Sequence, residues 1–127
     1  MKLSEIITMF SCVNYTPELV IDKEISYAFC ADLMSDALMV LNSVKDDRVL
    51  ESCVLITGLT TNQSIRTAEM LDINVVLLVR GKIPSSRVIE LAKESNILLL
   101  STTYTMFNTS GMMYSAGIKG VITNQQW

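Results

Sequence analysis

Three short apolar runs recur in the second half of the chain, and each is followed by a stretch that is predicted to form a helix. The runs are Cys53–Thr57, Val75–Val79 and Ile97–Leu100, and their first residues lie 22 positions apart. Strands that are apolar throughout are typical of a sheet covered on both faces. Strands that alternate with helices indicate βαβ units, whose right-handed crossovers produce parallel pairing. The pattern therefore predicts a three-layer α/β/α fold with a mainly parallel central sheet.

The helices that follow these runs carry recognisable end signals. One helix is predicted over 62–71, with Asn62 as its N-cap. A second begins at 84–85, where proline is favoured in the first helical turn. A third is predicted over 106–116 and ends at Gly117, because glycine suits the residue that follows a helix.

The first half of the chain is less regular. The apolar positions of residues 3–10 lie on one face of a predicted helix. Asp32 is interpreted as the N-cap of a second helix, which extends to about Asn42. The other segments are predicted as follows: short strands at 13–15 and 25–31, an extended piece at 19–21, a solvated loop at 45–48 and a polar tail at 119–127.

Composition and charge limit the classes of function. The chain has 127 residues, 50% of them hydrophobic and 18% charged, which fits one folded domain and excludes a disordered chain. The net charge is −3, so a strong nucleic-acid interface is excluded. Residues 1–51 carry nine acidic and four basic side chains, a net −5, whereas the remainder carries six basic and four acidic side chains, a net +2. An anionic ligand is therefore expected to bind the second half.

Residue chemistry gives little sign of catalysis. The absence of histidine removes the commonest general base and most transition-metal sites, so no catalytic residue, metal site or cofactor is predicted. Cys12, Cys30 and Cys53 lie in apolar stretches without C-x-x-C spacing and are interpreted as buried structural thiols. The N-terminus lacks a signal-peptide pattern, and the uncharged stretch 95–118 contains too short an apolar run to span a membrane. We expect a cytoplasmic protein without membrane contact.

Two loops at the carboxyl ends of the predicted strands are candidates for ligand binding. Open α/β sheets bind ligands at this edge, and both backbone N–H groups and an arginine suit an anion. The candidate residues are Gly58, Thr60, Thr61, Asn62, Arg80 and Gly81. Neither loop has the glycine pattern of a P-loop or a Rossmann fold. A tight turn with a helix cap, and a solvated loop, therefore remain alternative interpretations.

Asp32 and Asp36 lie four residues apart and would share one face of a helix. A carboxylate pair can hold Mg²⁺ or perform acid–base chemistry. The pair can also serve the helix itself, with Asp32 as the N-cap and Asp36 near the positive end of the helix dipole. We favour the second interpretation.

Residues 22–38 resemble the signature stretch of DRTGG-domain proteins. Asp22 and Lys23 take the place of the Asp-Arg pair, and Ser26 takes the place of the threonine. Tyr27 and Ala28 replace the two glycines. A side chain at these positions disfavours the positive φ that glycine permits, which weakens any ligand mode that depends on it.

The resemblance continues beyond this motif. Asp32-Leu-Met-Ser-Asp36, which includes Ser35, matches the next segment of the family closely. Arg80-Gly-Lys-Ile-Pro84 and Leu100-Ser-Thr102 lie in a βα series that is also similar. The resemblance covers residues 3–118 of a single domain, 1–127, and leaves 119–127 as a tail.

The resemblance implies a fold like that of the N-terminal domain of HPr kinase/phosphorylase. DRTGG domains also occur beside CBS domains, in some inorganic pyrophosphatases and in phosphotransacetylases, as regulatory modules. Because the P-loop kinase half is missing, kinase activity is not carried over. The resemblance implies a non-catalytic regulatory module that senses a small anionic metabolite or nucleotide. Such a module would act through homodimerisation or through contact with a partner. A small metal-dependent enzyme using Asp32 and Asp36, and a ligand-free interaction scaffold, are the alternatives.

Overall fold

Helices and strands alternate along the computed structural model, which describes residues 1–19 and 21–121. In chain order the elements are α1 (Leu3–Met9), β1 (Val13–Asn14), β2 (Tyr27–Cys30), α2 (Met34–Asn42), α3 (Asp47–Glu51), β3 (Cys53–Thr57), α4 (Asn62–Met70), β4 (Val75–Leu78), α5 (Ser86–Glu94), β5 (Leu98–Ser101), α6 (Met106–Ser115) and β6 (Lys119–Gly120). The three apolar runs of the second half therefore form strands β3, β4 and β5, and each is followed by a helix.

The described strands form one six-stranded sheet with the order β1-β5-β4-β3-β2-β6. The pairs β2–β3, β3–β4, β4–β5 and β2–β6 are parallel. The edge strand β1 is antiparallel to β5. The prediction of a mainly parallel central sheet is confirmed.

The central strands are apolar up to their polar ends, Thr57 and Ser101, because helices cover both faces of the sheet. Side chains alternate between the faces along a strand. Leu55, Val76 and Leu99 pack with buried residues of α2, α4 and α5 in one core cluster. Leu77 and Leu100 pack with buried residues of α1 and α6 in a second cluster. The three layers α/β/α predicted from the sequence are therefore present.

The helices of this fold are short, and the longest of them, α6, has ten residues. Within residues 1–19 and 21–121, none has the combination of length and apolar character that crossing a membrane requires.

The predicted loop at 45–48 is partly wrong, because Asp47 and Arg48 begin helix α3. The Oδ1 atom of Asp46 accepts a hydrogen bond from the Arg48 N–H at 3.0 Å, and the Asp46 side chain also accepts two from the Arg48 guanidinium. An N-cap of this kind satisfies a backbone donor that the first turn leaves unpaired. A five-residue helix with this local support needs no apolar periodicity, so the periodicity did not reveal it.

One further segment differs from its prediction. Lys119 and Gly120 pair with Tyr27 and Ala28 as β6, so the predicted tail begins with a strand. Leu19 and Ile21 lie outside the helices and strands, after a turn that the Leu19 N–H closes onto the Thr16 carbonyl, and the extended piece at 19–21 stays a prediction. Val20 and residues 122–127, with Trp127, lie outside the described residues.

Candidate functional site

The predicted ligand residues lie in two neighbouring loops at one end of the sheet, which we call the carboxyl edge. This edge is formed by the segments that follow β2, β3, β4 and β5. Strands β3 and β4 are paired up to Thr57 and Leu78. The Val79 N–H then donates to the Thr57 carbonyl at 3.1 Å. The loop from β3 to α4 and the loop from β4 to α5 therefore leave the sheet side by side.

The β3–α4 loop is fixed at its start by Asp32, which follows β2. The Asp32 Oδ1 atom accepts from the Gly58 N–H at 2.7 Å and from the Thr57 hydroxyl at 3.4 Å. The Thr57 hydroxyl oxygen also accepts from the Leu59 N–H at 3.1 Å. A Cβ at residue 58 would lie 3.2 Å from Asp32 Oδ1, so glycine allows this close approach.

The interpretation of Asp32 as a helix cap is therefore wrong. The N-cap of α2 is Leu33, and no side chain makes the capping hydrogen bond. The Asp32 carboxylate instead satisfies a backbone donor 26 residues away in sequence. Asp36 does lie in the first turn of α2, where an acidic side chain favours the positive end of the helix dipole.

The first turn of α4 presents backbone donors at the same edge. Thr61, and not Asn62, is the N-cap of this helix, and its side chain accepts no capping hydrogen bond. Among the described residues, the N–H groups of Thr60, Thr61, Asn62 and Gln63 have no acceptor. Donors of this kind, at the positive end of a helix dipole, can bind an anion.

The β4–α5 loop uses its backbone donors inside the protein. The Arg80 N–H donates to the Tyr104 carbonyl at 2.7 Å, and the Gly81 N–H donates to the Thr102 carbonyl at 2.9 Å. Both residues adopt the left-handed backbone conformation, with φ of 66° at Arg80 and 68° at Gly81. The left-handed region is uncommon for a residue with a side chain, and these two hydrogen bonds hold Arg80 in it.

The side chains of Arg80 and Lys82 supply the positive charge of this loop. Arg80 is exposed and Lys82 is half-buried. Neither forms an ion pair with any residue in the described part of the chain. An unpaired guanidinium offers a planar set of donors that matches carboxylate and phosphate groups.

The residues of the family motif do not form one site. Asp32, Ser35 and Asp36 lie at the carboxyl edge, whereas Asp22, Lys23 and Ser26 precede β2 and lie at the opposite, amino end of the sheet. A strand rises about 3.3 Å per residue, so β2 alone separates the two groups by roughly 13 Å. A small ligand at one edge cannot touch both groups.

Lys23 lies in a cleft of about 540 Å³ at the amino end of the sheet. Its Nζ atom donates to the Glu51 carbonyl and to Asn74 Oδ1. Burial lowers the pKa of Lys23 from its usual value, and the charge of Glu51 partly opposes that effect. Lys23 therefore ties the segment before β2 to α3 and to the start of β4, which is a structural role.

The acidic side chains and the cysteines of the described residues were the other candidates for chemistry. Within the described residues, no group of three or more Cys, Asp or Glu side chains is placed to hold a metal ion. All three cysteines are free thiols, with Cys53 buried and Cys12 and Cys30 half-buried. Burial raises the pKa of Cys12 to about 11 and that of Cys53 to about 12. These thiols are poor nucleophiles near neutral pH, because the thiolate is the reactive form.

The sequence reasoning missed several residues of this edge, namely Thr57, Gln63, Thr102 and Tyr104. Thr57 joins Asp32 to the start of the β3–α4 loop, and Tyr104 accepts the Arg80 N–H. A polar residue at the end of an otherwise apolar strand could have drawn attention to Thr57. Nothing in the sequence marks a backbone carbonyl such as that of Tyr104 as an acceptor.

Comparison with known proteins gives a likeness of fold. No protein-family profile matches the chain, and no curated protein matches it. Among solved structures, the chain is similar to the CBS and DRTGG domains of the regulatory region of Clostridium perfringens pyrophosphatase, complexed with its activator diadenosine tetraphosphate. The TM-score is 0.61 at 19% identity, over 87% of this chain and 45% of the other, so the chain spans about half the length of that neighbour. The resemblance to DRTGG-domain proteins is thereby confirmed at the level of the fold.

Proposed function

We propose that the chain is a non-catalytic regulatory module that binds a small anionic ligand at the carboxyl edge. The observation that carries the proposal is the pairing of two loops there. One loop leads into the unsatisfied N–H groups of Thr60–Gln63, and the neighbouring loop carries the unpaired side chains of Arg80 and Lys82. Backbone donors and cations of this kind bind phosphate and carboxylate groups.

The loops of the proposed site are held in place before any ligand arrives. Asp32 fixes the start of the β3–α4 loop through Gly58. The carbonyls of Tyr104 and Thr102 fix the backbone of Arg80 and Gly81. A site that is ordered in advance loses less conformational entropy on binding, which favours affinity.

The fold similarity supports the regulatory part of the proposal. The solved neighbour is a regulatory region, and it is complexed with an activator that is a nucleotide. Our chain shares its fold over 87% of its own length. We therefore propose that ligand binding alters contact with another protein or with a second copy of this chain, and that no reaction is catalysed.

We propose a homodimer as the working form. Met39 on α2 is 70% exposed and Met70 on α4 is 69% exposed. The helices α2 and α4 pack against one another on the same face of the sheet. Exposed apolar side chains on adjacent helices suit a contact with a second copy, and flexible methionines adapt well to such a surface.

Calorimetric titration with inorganic pyrophosphate tests the ligand site. Charge-assisted hydrogen bonds contribute roughly 1.5–3 kcal/mol, so Arg80→Ala is expected to weaken binding about ten- to a hundredfold. Arg66→Ala is the matched control, because Arg66 lies on α4 and pairs with Glu69 at 3.3 Å. We expect this control to bind like the wild type. Equal affinities of wild type and Arg80→Ala would remove Arg80 from the site, and no binding by the wild type would favour a ligand-free scaffold.

A further inference from the structure

A highly exposed aromatic side chain lies at the carboxyl edge, the end of the sheet that also holds the proposed anion site. Phe107 is 85% exposed and is the second residue of α6, directly after the loop that follows β5. It lines a cleft of about 270 Å³ together with Tyr104, Asn108, Gly111 and Met112. A phenyl ring this exposed gains almost nothing from burial in the fold, so it contributes little to stability.

The backbone connects this ring to the cationic loop. Arg80 donates its N–H to the carbonyl of Tyr104 at 2.7 Å, and Gly81 donates to that of Thr102 at 2.9 Å. Phe107 lies three residues beyond Tyr104, and three residues of chain reach at most about 11 Å. The start of α6, which carries Phe107, is thus within about 11 Å of chain from the residue whose carbonyl binds the Arg80 N–H.

The geometry points to a nucleotide as the ligand of this edge, with Phe107 stacking on the base and Arg80 binding the phosphate. This inference rests on the proposed function, since it specifies the anion that the same edge binds. An exposed ring offers a stacking surface for a planar base. An unpaired guanidinium offers the donors for its phosphate. A simple inorganic anion would use Arg80 and leave Phe107 without a role.

The test compares ATP with pyrophosphate, which has phosphate groups but no base. Stacking on an aromatic side chain changes affinity by about tenfold or more, so Phe107→Ala is expected to weaken ATP binding by that factor and leave pyrophosphate binding unchanged. Phe107→Tyr keeps the ring and should bind ATP like the wild type. Tyr114→Ala is the matched control, because Tyr114 is 76% exposed at the far end of the same helix.

The outcomes separate the two proposals. Tight ATP binding that falls in Phe107→Ala but not in Phe107→Tyr or Tyr114→Ala supports base stacking. ATP that binds no more tightly than pyrophosphate, with Phe107→Ala equal to the wild type, overturns base stacking and leaves the anion site in place. Binding of neither ligand by the wild type overturns both. Thermal unfolding of each variant shows that it is folded.

Discussion

Replacing Asp32 with alanine removes the side chain that holds the β3–α4 loop. The carboxylate accepts from the Gly58 N–H at 2.7 Å and from the Thr57 hydroxyl at 3.4 Å, of which only the first is short. A hydrogen bond to a charged group contributes roughly 1.5–3 kcal/mol, and exposure of Asp32 to water places this one at or below the lower limit. We therefore expect Asp32→Ala to lower the free energy of unfolding by about 1–1.5 kcal/mol.

Thermal and urea denaturation measure this loss. The entropy of unfolding for a chain of this size means that 1 kcal/mol corresponds to about 4 °C in Tm, so we expect a fall of about 4–6 °C. Asp36→Ala is the control, because Asp36 is exposed, carries the same charge and accepts no side-chain hydrogen bond from the described residues. High salt screens the interaction of the Asp36 carboxylate with the helix dipole, so under that condition Asp36→Ala should change Tm little. If both variants lose the same stability, the Asp32–Gly58 bond does not hold the loop.

Three further changes test the core, the thiols and the assembly. Leu55→Ala removes a side chain that is 0% exposed, so urea denaturation should show a free energy of unfolding that is lower by about 2–5 kcal/mol. A loss below about 1 kcal/mol would contradict a core packed on both faces of the sheet. Burial raises the pKa of Cys53 from 9.0 to about 12, so the unfolded chain loses this proton first and the free energy of unfolding should fall as pH rises through that interval. The free energy of unfolding should fall less steeply with pH in Cys53→Ala, and equal slopes would show that the Cys53 thiol does not cause the decline. Sedimentation should show twice the 14.1 kDa mass for the wild type and a smaller species for a Met39→Lys, Met70→Lys variant, whereas a wild-type monomer at micromolar concentration would contradict the dimer.

The central sheet could be predicted because the burial of its strands requires apolar residues at consecutive positions of the sequence. Strands β3, β4 and β5 are covered on both faces, so all positions before the polar ends Thr57 and Ser101 are apolar, and that requirement leaves unbroken apolar runs in the sequence. The helices that follow were predicted from the residues at their ends, and the second of them also from its apolar spacing. The first half was harder, because β1 has only two residues and α3 is stabilised by the local cap of Asp46. The two-residue strand β6 was missed for the same reason, since so short a strand leaves no pattern.

The contacts of the carboxyl edge could be predicted only in part. Topology indicates that loops after parallel strands meet at one edge, which placed Gly58 and Arg80 in adjoining loops. Spacing alone could not show that Asp32 bonds a residue 26 positions away, since a helix cap explains the same local pattern. Nor could it show that Arg80 adopts a left-handed conformation, because that depends on the Tyr104 carbonyl from another loop.

Amide NMR spectra of isotopically labelled protein, recorded during titration with pyrophosphate, test the central claim most directly. The two ends of the sheet carry separate reporters, Asn62 and Arg80 at the carboxyl edge and Lys23 and Asn74 in the opposite cleft. If the carboxyl edge binds the anion, the amide signals of Asn62 and Arg80 should move with saturable dependence on concentration, and those of Lys23 and Asn74 should stay in place. Movement confined to Lys23 and Asn74 would place the ligand at the other end of the sheet and contradict the account.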